Sequence, residues 1–187
     1  MSGNASGVDT PRGGGLAASA AAGIAVVAVM GVSGSGKTTL ARALADAWPA
    51  AFLDADDFHS MAAKERMAAG QPLTDRMRAP WVRRIAGDLQ RRVAAGERVA
   101  LAFSGLRRRH RDALRAARLP LRFLFLQGEA GVIAARMRAR SGHYMPVSLL
   151  DSQFATLEDP RGEADVVVLP VDLPPEAQLQ RALSVLL

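Results

Sequence analysis

Three groups of residues have the types and spacing to do chemistry. The first is Gly31-Val32-Ser33-Gly34-Ser35-Gly36-Lys37-Thr38, a full match to G-x-x-x-x-G-K-[ST]. An apolar run precedes it and a helical pattern follows. Glycines at 34 and 36 let successive backbone N–H groups turn inward on a phosphate. A helix opening at Lys37 aims its positive end at the same point. Lys37 can neutralise the outer phosphates, and the Thr38 hydroxyl can ligate Mg²⁺. Residues Gly31 to Thr39 are therefore assigned to a nucleoside triphosphate. The motif leaves the phosphate acceptor open.

The second group, Asp54, Asp56 and Asp57, follows the short apolar run Ala51-Phe52-Leu53. Two carboxylates two apart on an extended segment point the same way, so Asp54 and Asp56 are expected to share a site. One could hold a metal-bound water; the other could accept a substrate hydroxyl's proton or hydrogen bond. Asp57 suits the cap of the next helix, and all three also fit a solvated acidic loop. His59, on the same loop, is a candidate substrate contact.

The third group is arginine. On a helix Arg107 and Arg111 share a face, as do Arg108 and Arg115, and one or two of these are expected to face the site. Arg136 and Arg140 are four apart, just ahead of Ser141-Gly142-His143-Tyr144. That arrangement suits a lid bringing positive charge onto a moving phosphoryl group and excluding water; an ordinary basic helix face reads the same way. Arg78, shortly before Pro80-Trp81, could bind an anionic substrate, with Trp81 itself read as core.

These residues need elements to carry them. Apolar runs at Ile24–Met30, Ala51–Leu53, Val99–Phe103, Leu121–Leu126 and Val166–Leu169 read as buried strands. Helical patterns run over Lys37–Trp48, 60–95 with a break at Gly70-Gln71-Pro72, Arg107–Arg118, Ala130–Arg140, Val147–Leu157 and Pro175–Leu187. Alternation of this kind predicts an α/β fold, a parallel sheet with helices on both faces. Ligands of such sheets bind beyond the carboxyl ends of the strands, where all three groups fall.

At 187 residues with 49% hydrophobic composition the chain can bury a real core, which excludes a disordered or collagen-like chain. With no cysteine, disulfides, thiolate metal sites and cysteine nucleophiles are excluded. The net charge is +6, and all but two of the 24 basic residues, Lys37 and Lys64, are arginine. Guanidinium forks grip phosphate and carboxylate, although arginine-rich composition also follows genomic base usage. Residues 1–23, mostly Ser, Gly and Ala, read as a disordered lead-in to a single domain over 24–187. The uncharged stretch from Leu16 to Val32 lacks a cationic start and is short of the about 20 residues a membrane span needs. A soluble, cytoplasmic protein without membrane contact is expected.

The sequence resembles the bacterial-type gluconokinases, small P-loop kinases of the shikimate and gluconate kinase group. The phosphate loop is shared with many kinases. More specific are Leu53-Asp54-Ala55-Asp56-Asp57-Phe58-His59, Pro72-Leu73-Thr74-Asp75, Arg78-Ala79-Pro80-Trp81, Gly142-His143-Tyr144 and Gln153-Phe154-Ala155-Thr156-Leu157-Glu158. The resemblance runs in order from about residue 24 to the end. It implies a five-stranded parallel sheet of the nucleoside-monophosphate-kinase type, a lid over about 136–150, and often a homodimer. The reaction it implies is phosphorylation of D-gluconate, a small sugar acid, by ATP with Mg²⁺. Lys37, Asp56 and Arg136 would then be catalytic. Thr38 and Asp54 would hold the metal, and the loop with Arg136 and Arg140 the nucleotide. Asp56, His59, Arg78, Arg107 and His143 would hold the substrate.

The chain departs from the family at Ser60, Ala63, Met77, Phe103 and His110. Ala63 and Met77 place non-polar side chains near the expected acceptor pocket. Two other functions fit the residues: a P-loop kinase of another small hydroxy acid or sugar acid, and a nucleotide-dependent regulator binding nucleic acid through its basic surface. Against the second stand the lack of a nucleic-acid-binding module and the 5% aromatic content, too few rings to stack bases.

Overall fold

Alternate residues of the first strand, Val26–Met30 (β1), point to opposite faces, and every one is buried. Val27 and Val29 join one hydrophobic cluster; Val26, Ala28 and Met30 join another. A strand apolar on both sides has to lie in the middle of a sheet covered on both faces. The structure, a computed structural model, describes residues 23–139 and 147–186, and places β1 in that position.

The sheet has five strands in the order β2-β3-β1-β4-β5, where β2 is Ala51–Asp54, β3 Val99–Phe103, β4 Leu121–Gln127 and β5 Val166–Pro170. All pairings are parallel. Val26 stands opposite Val99 on one side and Leu121 on the other. Parallel neighbours require crossovers, and helices supply them. Lys37–Ala47 (α1) lays Leu40, Ala41, Leu44 and Ala45 on one face of the sheet. Met61–Ala68 (α2) leads to Asp75–Ala94 (α3), which buries Trp81, Val82, Ile85 and Leu89 on the other face. At roughly 1.5–3 kcal/mol per buried large side chain, that stripe anchors α3. Arg108–Arg115 (α4) packs beside α3, and Ala130–Ala139 (α5), Val147–Thr156 (α6) and Pro175–Ser184 (α7) complete the layers.

The break at Gly70-Gln71-Pro72 is present, and Ser60 and Thr74 cap the two helices around it by accepting from the N–H groups of Ala63 and Met77. Ser60, not Asp57, is thus the cap of α2. Several expected elements are shorter than their patterns. β1 starts at Val26. α4 begins after Arg107, whose backbone is extended, and its segment closes at left-handed Arg118 (φ 54°) ahead of Pro120. α7 ends at Ser184. Among the described residues no helix is long and apolar enough to cross a membrane. The lead-in of residues 1–22 and the middle of the expected lid, residues 140–146, lie outside the described residues.

Candidate active site

The loop between β1 and α1 turns through left-handed backbone at Gly34 (φ 79°) and Gly36 (φ 104°), conformations that cost a side-chain-bearing residue energy. Gly34 has a second reason to be glycine: a Cβ there would run into Met137 of α5. Ser33 to Lys37, Thr39 and Arg136 line a cavity of about 560 Å³, walled further on by Leu40, Ala43, Met137 and Leu173. Gly31 and Val32 build the loop instead of lining this cavity. The Gly31 N–H donates to the Ser104 carbonyl (3.2 Å), and the Val32 carbonyl accepts from Lys37 Nζ (2.9 Å). Burial lowers the Lys37 pKa, opposed by the charges of Asp56 and Asp54.

Thr38 lies off the cavity wall with its Oγ1 3.3 Å from Asp54 Oδ2. Asp54 ends β2, and its Oδ1 accepts the Asp56 N–H at 3.0 Å. The two carboxylates share a site, but not by the expected route. Residues 55–58 form a 3-10 turn, so Asp56 is brought back by the turn and not by strand alternation. Thr38 and Asp54 form a hard oxygen pair beside the phosphate loop, the donor chemistry Mg²⁺ takes when phosphates and water complete its shell. Desolvation in the cleft, then Asp54's negative charge, raises the Asp56 pKa, with Lys37 opposing. A carboxylate with raised basicity is suited to accept a proton.

A second cavity, about 340 Å³, opens on the other side of Ser33, Lys37 and Asp56, which line both. It gathers Asp54, His59, Arg78 and Arg107 as the sequence expects. It adds Trp81, Ser104 and Gln153, which sequence reasoning did not assign to the site. Trp81 is core and wall at once: it is 1% exposed, donates to the Ala55 carbonyl (2.6 Å), and stacks on His59 with centroids 4.5 Å apart. His59 Nε2 lies 3.8 Å from Asp56 Oδ1. Its Nδ1 is buried with no hydrogen-bond partner among the described residues. Burial, followed by the charges of Arg78, Arg84 and Lys64, brings the His59 pKa down to about 4, so the ring is neutral.

Three guanidinium groups face one carboxylate, and two of them, Arg78 and Arg107, line this cavity. Arg109 and Arg107 pair with Asp75, the latter at 3.2 Å, and Arg78 stands 3.9 Å away. Burial works to raise the Asp75 pKa, but the Arg109 hydrogen bond and the charges of Arg107 and Arg109 outweigh it and hold the carboxyl low. Burial, then Arg107, lowers the Arg78 pKa, as befits a cation held among cations. Arg107 Nε is buried and unpartnered among the described residues. The surplus positive charge and the free donor suit an incoming anion.

The shared-face expectation for Arg107 and Arg111 does not hold. Arg107 precedes α4 on extended backbone and reaches the cavity. Arg111 is fully buried and grips Glu163, with its Nη1 donating to the Gly105 carbonyl at 2.7 Å. Arg115 likewise serves Glu163 and Asp165, 2.7 Å away in the latter case. Ala63 and Met77 are not among the residues lining the second cavity. Arg140 and His143 lie outside the described residues.

A family model described as an AAA domain matches residues 26–160. The gluconokinase of Gluconobacter oxydans (strain 621H) is 42% identical over 152 residues, covering 81% of this chain and 85% of that protein. The chain belongs to the gluconokinase family, within that AAA-domain group. Solved structures agree. A gluconokinase from Sinorhizobium meliloti 1021 superposes with a TM-score of 0.79 at 42% identity, over 86% of this chain and 90% of that one. An unliganded sugar kinase from Janibacter sp. HTCC2649 gives 0.81 at 46%, over 86% and 93%.

Proposed function

We propose that this protein transfers the terminal phosphoryl group of ATP to the primary hydroxyl of D-gluconate, yielding 6-phospho-D-gluconate and ADP. The observation carrying this reading is the junction of two cavities at Ser33, Lys37 and Asp56, one lined by the phosphate loop and the other by Arg78 and Arg107. Arg78 and Arg107 hold the sugar acid's carboxylate at the far end. This directs its opposite end, the primary hydroxyl, toward Asp56. The neutral His59 can accept a hydroxyl hydrogen bond at Nδ1.

Asp56 takes the hydroxyl proton as the oxygen attacks the terminal phosphorus, an O–P bond forms, and the bond to the β-phosphate oxygen breaks. Lys37, released from the Val32 carbonyl, and Arg136 oppose the charge on the moving group. Thr38 and Asp54 would hold Mg²⁺, which supplies charge neutralisation at the phosphates. A chain without cysteine that consumes ATP suits the reducing cytoplasm.

An ADP-release assay across a panel of sugar acids and shikimate tests the proposal. Gluconate-dependent turnover is expected. Turnover only with another acid moves the acceptor, and no acid-dependent turnover together with salt-sensitive nucleic-acid binding would favour the regulator reading.

A further inference from the structure

The phosphate loop is tied to a helix 120 residues away by a single side chain. Gln153 Oε1 accepts the Ser33 N–H at 2.7 Å, and its Nε2 donates to Ser33 Oγ at 2.8 Å. The backbone N–H can only donate, so the amide oxygen must face it, and both ends of the carboxamide are used. Gln153 sits on α6, which is anchored in the core by Leu150 and, more loosely, by Phe154. The clamp is therefore presented by a packed element and not by a loop. Ser33 lines both cavities, and Gln153 lines the acceptor one.

We infer that Gln153 is a positioning residue for phosphoryl transfer. It acts through Ser33 to set the corner of the loop where the terminal phosphate meets the acceptor oxygen. The Ser33 N–H would otherwise be one more donor free to follow the phosphate. Fixed on Gln153, it leaves the phosphate to the amides that follow and holds the loop against the acceptor cavity. A misplacement of about 1 Å between reacting groups can cost on the order of 100-fold in rate, whereas binding of either partner depends on many contacts. Loss of the clamp should therefore appear in turnover and not in binding. The inference rests on the kinase reading above.

The test compares the unaltered chain with Gln153→Leu, Ser33→Ala and the double variant, with gluconate and ATP varied separately. Gln153→Leu keeps the volume and removes both hydrogen bonds. It is expected to lower kcat by about 10- to 100-fold with both KM values within about threefold. Ser33→Ala should lower kcat by a smaller factor alone and by nothing further in the Gln153→Leu background, because the serine hydroxyl has then already lost its partner. Three results overturn the inference: kcat of Gln153→Leu within threefold of the parent, a rise in KM that accounts for the loss, or losses that multiply in the double variant. Thermal denaturation confirms that each protein compared is folded at the assay temperature. Absence of turnover by the unaltered chain would overturn the gluconokinase reading; unchanged turnover on Gln153→Leu overturns this one alone.

Discussion

Asp56 and Arg107 do different work, and substitutions separate them. Asp56 must be ionised to accept a proton, and burial and Asp54 raise its pKa above the ordinary 3.8. Activity should thus fall with decreasing pH at a point above the usual carboxylate range. Asp56→Asn is expected to lose about 10²–10⁴ in kcat and to flatten that acid limb, as pH–rate profiles would show. Arg107 works on binding. Removing a hydrogen bond to a charged group costs about 1.5–3 kcal/mol. Arg107→Gln should therefore raise KM for gluconate roughly ten- to a hundredfold and leave KM for ATP close to the parent value, as steady-state kinetics with each substrate varied would show.

At the scale of elements, the joint between α4 and the segment leading into β5 rests on Arg111 and Glu163. Arg111 is fully buried, and its other donors go to the carbonyls of Gly105 and Glu158. Cutting away its carboxylate leaves a buried cation uncompensated. Glu163→Ala is expected to destabilise the fold by about 3–5 kcal/mol in urea titrations. Arg108, Arg109, Arg111 and Arg115 line neither of the two cavities. All five arginines between 107 and 115 sit beside carboxylates of the fold. Arg107, also paired with Asp75, differs in lying on the cavity wall.

For the whole molecule, acid should act in two windows. His59 and His110 both have folded pKa values near 4, chiefly through burial and then the charge of Arg78, against 6.5 unfolded. The unfolded chain therefore binds more protons between pH 6.5 and 4. Their contribution to stability is complete above pH 6.5 and is lost as pH falls toward 4. Glu163, held at about 2 by Arg111 and Arg115 against 4.5 unfolded, acts lower: its contribution is present above pH 4.5 and is lost toward pH 2. Unfolding free energies measured by urea across pH 3–8 should decline in both ranges. His110→Phe should remove part of the upper slope, and Glu163→Gln the lower one.

The order of strands and helices, the phosphate loop and the carboxylates after β2 were all legible in the chain, because each is a local pattern. Glycine spacing dictates the turn at 34 and 36, and an unbroken apolar run dictates a strand covered on both faces. What could not be read locally depends on partners far apart. Arg107 and Arg111 look alike in sequence, and the Glu163 that takes Arg111 lies 52 residues on. Gln153 stood in a segment marked as family-specific, yet its target Ser33 is 120 residues away. Asp56 reaches its place by a 3-10 turn that residue spacing alone does not distinguish from a strand. Backbone conformation follows from neighbouring residues, but which charge is neutralised and which faces a cavity is settled only when the sheet brings distant segments together.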